Sequence, residues 1–592
     1  MPAELQPVDP LAPSSRPAVR SNAVLPMILG AVGVWLFLAL RLLPIDVMGE
    51  RMWNEADVLP LARQSVEPSW IPNDWYLTQN AEYRFAFQRI AGPLVRDLGF
   101  IPAALVGRAA CYALAAAGLA VIAGAIGLRP WMLVLAVVAL ITFQGKQSTT
   151  GGEWFVGGFE AKAVAWGLAL LAIGLALYHR HAIAALLAGL AATFHILVGG
   201  WVSVVLWGWL LTVGRGGRPL TDRAYLASLA RCAACTALGA LGAAVPLWSH
   251  LASPPHDTPG PSASYVYVYL RLPHHLSPAS WQPIAWMQLA TFAMLLLAGV
   301  WVLRRLPGGH VARDAETSAP PPPPITVPAN HAEVQFAALA ALALVPFLAG
   351  LVISLWDHDG TLLRYYPFRV GGVLLPLAAY LLAALAVQRG ATVLPRWGRH
   401  AFAAIIVAAL IGGVVMASEA FRKNLATIAE ASAPGGGRGT DGEEWAAACD
   451  AVRALTPRGA VVVTPPAGGA DFTWRAGRAR VANFKLMPQN PRAILEWYAR
   501  MRDLANGTDL AQLPDQFAKY DAEDFRDAVT QGYKSLSLAD ATRLMEKYGA
   551  RHLLTTSDHE LGLPVLYRNA RYTLYAAPEP PRRAFAKAAR SP

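Results

Sequence analysis

The chain has 592 residues, is 55% hydrophobic and only 15% charged, and carries a formal net charge of +11. A mean hydropathy of +0.36 at this length points to a polytopic membrane protein rather than a string of soluble domains. The positive charge fits the bias of membrane proteins toward basic cytoplasmic loops, and no basic stripe interleaved with aromatics suggests nucleic acid as a partner.

In chain order, a polar tail over 1–22 precedes an apolar run at 23–43 that is long enough to span and lacks a cleavage site, so it reads as an uncleaved first helix. Further apolar runs at 101–127, 130–144, 162–178, 181–195, 197–214, 226–249, 284–304, 335–355, 369–388 and 400–418 bring the prediction to about eleven spans. With a cytoplasmic N-terminus, Arg129, Arg180, Arg215, Arg304, Arg305, Arg389 and Arg396 fall on the inside. The expected location is a bacterial inner membrane, with a 23–420 bundle and the C-terminal part in the periplasm. The proline run at 320–324 reads as a polyproline II spacer in a cytoplasmic loop.

Beyond about 440 the pattern changes. "EEWAAACDAVRALTP" reads as a helix, "AVVVTPP" and "ARVANF" as strands, 490–504, 522–532 and 538–548 as helices, and "HLLTTS" and "VLYRNARYTLYAA" as strands. This predicts a soluble α/β domain over 440–577 and a disordered tail over 578–592. The four cysteines fit no disulfide framework, and Cys232-x-x-Cys235 lacks a second ligand pair for zinc.

Polar residues cluster on the predicted outside. The first loop, 44–100, places Trp53, Glu55 and Asp57 just after the first span, and two amphipathic stretches in it read as helices along the membrane surface. Segment 144–162, "QGKQSTTGGEWFVGGFEAK", combines glycines with Lys146, Glu153, Glu160 and Lys162; glycines permit close backbone approach to a ligand. His195 stands before Gly199 and Gly200, where two short spans read as broken or tilted helices. Segment 356–369 packs Asp357, His358, Asp359, Arg364, Tyr365, Tyr366 and Arg369 between two spans. Clustered ionisable groups near a bilayer point to a shared site. Carboxylates suit general-base work, arginines and lysines suit phosphate or pyrophosphate, and aromatics suit a sugar ring or the interface belt. Asp357 and Asp359 are candidate ligands for a divalent metal. In the soluble domain "DFTWRAGRARVANFK" gathers Arg475, Arg478, Arg480 and Lys485 between two predicted strands, as a solvated loop or as a lid contacting an anionic acceptor or a donor pyrophosphate.

A polytopic bundle, an acidic Glu55-x-Asp57 motif after the first helix and a terminal outside domain resemble the GT-C superfamily of membrane glycosyltransferases. That superfamily includes protein O-mannosyltransferases, oligosaccharyltransferase catalytic subunits and lipid A aminoarabinose transferases. No WWD-type signature occurs, which argues against the oligosaccharyltransferase branch. "NEADVLPLARQ", "PSWIPNDWYL", "GGFEAK", "FHILVGGW" and "RYYPFR" also resemble an uncharacterised bacterial family of large integral membrane proteins. The GT-C resemblance implies an inverting transfer from a polyprenyl-phosphate-linked sugar to an envelope lipid, glycan or protein. It also implies Asp57 or Glu55 as base and Arg364 and Arg369 on the donor phosphate. Membrane lipids and envelope-biosynthesis proteins are the implied partners. Two other readings stay open: a transporter or flippase of an anionic or lipid-linked substrate, and a non-catalytic scaffold of an envelope complex.

Overall fold

The computed structural model describes residues 24–49, 52–79, 82–252, 260–306, 332–432, 439–511 and 522–578. The polar N-terminal tail, the proline run and the tail from 579 lie outside the described residues.

Every predicted apolar span is helical. In order these are α1 (Val24–Leu42), α4 (Phe100–Ile126), α5 (Pro130–Phe143), α6 (Ala161–Leu177), α7 (His181–Phe194), α8 (Ile196–Leu211), the pair α9 (Arg223–Gly239) and α10 (Ala244–Ala252), then α13 (Pro283–Arg305), α14 (Ala332–Ile353), α15 (Arg369–Gly390) and α16 (Arg396–Ser432). Six of them are long and apolar enough to cross a membrane, or seven if the α9–α10 pair, bent by 52°, is one span. The other four, α5 to α8, run 14 to 17 residues, below the roughly 20 that cross a bilayer unaided. The chain is thus a polytopic helical membrane protein in which several helices are short. Large apolar side chains such as Leu29, Leu297, Trp301, Leu348 and Ile405 stay exposed, as a lipid-facing surface requires. By contrast α15 is buried on almost every side, packed by α5, α13 and α14, so its all-round apolar sequence reflects a central position.

The break between α7 and α8 has a steric cause. His195 adopts extended backbone, and a Cβ on Gly199 would fall 1.9 Å from the Ala192 nitrogen. Glycine therefore lets the two helices fold back in contact.

The first loop holds α2 (Glu55–Val66) and α3 (Phe85–Leu98). The expectation that both lie along a membrane surface is overturned for α2. Residues Glu55 to Ala62 are buried, because α2 packs on α3 and meets the C-terminal domain.

Two short turns, α11 (Ala263–Tyr265) and α12 (Pro273–Leu276), flank a π-helical run at Val266–Arg271 between α10 and α13. The C-terminal domain contains α17 (Gly439–Leu455), β1 (Val461–Val463), α18 (Phe472–Ala476), β2 (Ala479–Arg480), α19 (Pro491–Leu504), α20 (Ala522–Lys534), α21 (Leu538–Lys547), β3 (His552–Thr556), β4 (Val565–Arg568) and β5 (Tyr572–Ala576). The sheet has the order β2-β1-β3-β5-β4, parallel across β2-β1-β3 and antiparallel across β3-β5-β4. The strand predicted for "ARVANF" shrinks to two residues. After Arg480 the Asn483 side chain bonds the Pro466 and Gly468 carbonyls, and the chain leaves the sheet toward the bundle.

One buried ion pair joins α1, α2 and α4. Glu55 and Arg108, both fully buried, meet at 2.6 Å (Nε–Oε1) and 2.5 Å (Nη2–Oε2). The carboxylate also accepts from the Met48 and Phe159 amides at 3.0 and 2.7 Å. The guanidinium donates further to the carbonyls of Leu43, Ile45 and Asp46 at 2.8, 2.7 and 3.3 Å. Every polar atom of the pair is therefore satisfied, the condition under which such a pair is tolerated in a low-dielectric interior. Replacing one partner leaves the other buried and charged, so Arg108→Met is expected to cost about 3–5 kcal/mol. Thermal unfolding in detergent checks this, and the double variant Glu55→Gln/Arg108→Met is expected to recover part of the loss.

Candidate functional site

A cavity of about 1490 Å³ opens at the end of the bundle that carries the C-terminal domain. Its wall is built from the first loop, segment 144–162, the α7–α8 break, the π-helical run, the 364–369 turn and the loop after β2. Phe143, Leu247 and Ile284, exposed apolar side chains of α5, α10 and α13, are among its lining residues.

Glu55 does not reach the cavity. Its role in the structure is the ion pair with Arg108, which fixes the start of α2 so that Asp57, two residues on, lines the wall. Asp57 accepts from the Tyr76 hydroxyl and from Arg84 Nη1 at 3.1 Å. Burial, and then the Asp57 charge, push the Tyr76 hydroxyl well above its ordinary range, so it remains a donor. Glu160 also lines the cavity. It accepts from the Asn54 amide at 3.1 Å and from Asn54 Nδ2 at 3.2 Å. Among the described residues no cation lies within 4.0 Å of Glu160. Trp53 also lines the cavity and meets Trp154 edge-on at 5.2 Å. The Gly157–Gly158 pair admits these contacts, since a Cβ at either would lie 2.4 Å and 2.8 Å from Trp53 atoms.

Glu153 is the hub of a second cluster. Arg369 donates to Oε1 from Nε and Nη2 at 3.0 and 2.8 Å, and Lys162 Nζ donates to Oε2 at 3.3 Å. His275 Nδ1 stands 3.7 Å from Oε1. Burial alone would raise the Glu153 carboxyl, but Arg369 and Lys162 outweigh it and hold the group well below the usual carboxylate range. Arg369 also stacks 3.8 Å over the Tyr366 ring, and Lys162 lies 4.0 Å over Trp154. Arg364 donates to Ser264 Oγ at 3.1 Å and to the Tyr365 hydroxyl at 2.9 Å. Tyr365 and His195 line the cavity as well, and the His195 side chain accepts from the Val198 amide at the start of α8. Lys146 is exposed, lines the cavity and makes no side-chain hydrogen bond or ion pair among the described residues.

Four predicted participants, Arg475, Arg478, Asp357 and Asp359, lie elsewhere. Arg475 pairs with Asp471 at 2.6 Å, outside the cavity lining. Arg478 donates to the Arg453 and Thr456 carbonyls at 2.6 and 2.7 Å, closing the C-terminal end of α17. Asp357 accepts from the amides of Thr361, Leu362 and Leu363 at 2.8–2.9 Å and so shapes a turn, while the neighbouring Asp359 is exposed. Among the described residues no group of three or more His, Cys, Asp or Glu is placed to hold a metal.

Among the wall residues, Arg271, Tyr267 and Gln489 escape the sequence reading, whereas Lys485 belongs to the basic loop it singles out. Arg271 donates to the carbonyls of Phe484 and Lys485 at 2.8 and 3.3 Å, and Lys485 Nζ reaches the Trp53 carbonyl at 2.7 Å. Tyr267 links Tyr366 and Gln489 through its hydroxyl at 3.2 and 3.0 Å. These bonds seat the C-terminal domain on the cavity. The available signal was the aromatic run "YVYVYLRLPHH", polar at its end and set between two apolar spans.

The fold and cavity together define a polytopic helical membrane protein with a charged, aromatic-lined chamber at one end. Residues 443–504 match the model of a domain of unknown function, DUF6798. No curated protein matches the chain. Among solved structures the chain is similar to ArnT from Cupriavidus metallidurans bound to undecaprenyl phosphate, with 14% identity and a TM-score of 0.37, over 94% of this chain and 98% of that one.

The Glu153 cluster sets a pH signature. Its carboxyl is depressed in the folded state relative to its ordinary value of 4.5, so its stabilisation is fully present above that value and is lost as pH falls through the folded one. The difference in unfolding temperature between the native chain and Glu153→Gln is expected to stay constant from about pH 5.5 to 8 and to shrink below about pH 4.5.

Proposed function

We propose that the chain is a GT-C type, inverting membrane glycosyltransferase. It moves a sugar from a polyprenyl-phosphate-linked donor to an envelope lipid, glycan or protein on the outer face of the inner membrane. The observation that carries this reading is the composition of one chamber, lined by Asp57 and Glu160 together with Arg84, Lys146, Arg271, Arg364 and Arg369. The chamber's apolar residues Phe143, Leu247 and Ile284 suit the tail of a lipid-linked donor, and its cations suit the phosphate.

The reaction is a displacement at the anomeric carbon. The acceptor oxygen bonds to that carbon as the bond to the phosphate oxygen breaks, the acceptor proton passes to Asp57, and the departing phosphate carries the negative charge. Asp57 is suited to this role because Tyr76 and Arg84 fix its orientation in the wall. Cations around the leaving group stabilise the charge that develops there. Glu160 is a second carboxylate lining the chamber and orients the acceptor.

The test is transfer of radiolabelled sugar from a polyprenyl-phosphate donor by the purified full chain. Asp57→Asn is expected to lower the rate about 100-fold or more, the usual contribution of a general base, while Glu160→Gln acts mainly on acceptor KM. Equal transfer by Asp57→Asn removes Asp57 from the mechanism, and no transfer by the native chain with any polyprenyl-linked sugar rejects the reading.

A further inference from the structure

Most cations in the chamber are already committed. Arg369 and Lys162 bind Glu153, Arg84 binds Asp57, and Arg271 and Lys485 donate to carbonyls. The loop from Gly145 to Gly152 is different, because it is held firmly while its own donors are left over. Gln144 Nε2 bonds the Ser148 carbonyl at 2.5 Å, Ser148 Oγ bonds the Thr150 carbonyl at 3.0 Å, and the Thr149 amide bonds the Gly372 carbonyl at 3.0 Å. Gln147 braces the other strand of the loop, donating to the Val156 carbonyl at 2.7 Å and accepting from the Phe155 and Val156 amides.

Within this frame the amides of Thr150, Gly151 and Gly152 have no hydrogen bond among the described residues. Thr149 is 2% exposed, and its hydroxyl likewise has no partner. The buried Nδ1 of His275 is also without a hydrogen bond, and a Cβ on Gly151 would lie 3.3 Å from it. On the other side, a Cβ on Gly152 would lie 3.8 Å from Lys146 Nζ. Gly151 and Gly152 both take positive φ, +67° and +62°, a backbone that disfavours any side chain that would cover their amides. Buried polar atoms without partners, as the Thr149 hydroxyl and His275 Nδ1 are here, are rare in folded proteins and call for one, while Gly151 and Gly152 are half-buried and open to the chamber. All of these residues line the chamber.

We infer that the Gly145–Gly152 loop is an oxyanion cradle for a phosphate group, with Lys146 supplying the charge and the Thr149 hydroxyl and the Thr150–Gly152 amides supplying the directed donors. Glu153, next in sequence, does not repel such a group strongly, because Arg369 and Lys162 more than balance its charge. The inference rests on the proposed function only for the identity of the phosphate as part of a lipid-linked donor. The cradle itself is defined by its donors.

The test uses the full chain in detergent, titrated calorimetrically with inorganic pyrophosphate, inorganic phosphate and farnesyl phosphate. Lys146→Gln and Thr149→Val are each expected to weaken binding about tenfold, as loss of one hydrogen bond to a charged group does. Arg543→Gln, which removes an exposed charge on α21, is expected to leave binding unchanged. Thr149→Val is isosteric and removes a hydroxyl that has no protein partner, so its unfolding temperature is expected to hold or rise while binding falls. A purely structural role for Thr149 does not produce that combination. Tighter binding of farnesyl phosphate than of inorganic phosphate marks a lipid-linked ligand, and equal binding marks a soluble one; either ranking, with loss in both variants, upholds the cradle. Native affinity in both variants, or no anion binding by the native chain, overturns it. Binding with these losses but without sugar transfer leaves the cradle standing and rejects the glycosyltransferase. Asp57-dependent transfer with unchanged anion binding in both variants does the reverse.

Discussion

The Glu55–Arg108 pair holds in register three parts of the chain: the end of α1, the start of α2 and the glycine-rich segment after α5. It lies among apolar side chains, where an isolated charge is costly, so each atom of the pair must find a partner. Those partners are the carbonyls that end α1, the amide of Met48 and the amide of Phe159 in the glycine-rich segment. Satisfying one buried charge therefore positions the beginning of α2, the end of α1 and the 153–160 wall together. Trp53, Asn54, Asp57 and Glu160 take their places in the chamber as a result.

A comparable logic governs the roof. Lys485 and Arg271 are cations whose donors go to backbone carbonyls across the boundary between bundle and C-terminal domain. Asp74 adds a third link, accepting from the Arg480 amide at 3.1 Å. Since the sheet chain leaves β2 after only two residues to make these bonds, the shortness of that strand is the cost of placing Phe484 and Lys485 over the site. The domain thus belongs to the chamber structurally, although its sheet has its own core around Val462, Phe472, Leu554 and Leu574.

Helix positions were legible because hydrophobic runs in a membrane protein are long and composition alone marks them. Composition does not reveal whether a run crosses: α5 to α8 are short already as apolar runs in the sequence and stay short as helices. In the site, Asp57, Glu153, Glu160, Lys162 and Arg369 stood out as charges at span edges. Their pairing did not, since Glu153 meets Arg369 across 216 residues of chain. Arg108 was overlooked inside a run otherwise apolar enough to be read as featureless, and a charged residue there is itself a signal. The basic loop that carries Arg475 and Arg478 suggests ligand contacts in the sequence, as basic loops often do. Local geometry instead gives one a carboxylate four residues away and the other a helix end.

Phe143, Leu247 and Ile284 are exposed apolar residues of the bundle helices and at the same time line the chamber, so the proposed site has an apolar border that a lipid can reach. An amphiphile with a charged head and a long apolar tail can enter there without leaving the bilayer, its tail remaining among neighbouring lipids while the head turns inward. Its search is then confined to a plane, and the concentration that governs encounter is its mole fraction in the membrane rather than its molarity in water. A soluble anion of the same charge has no such advantage. The geometry of the entrance, more than the chemistry of the wall, would then decide which phosphates the chamber meets.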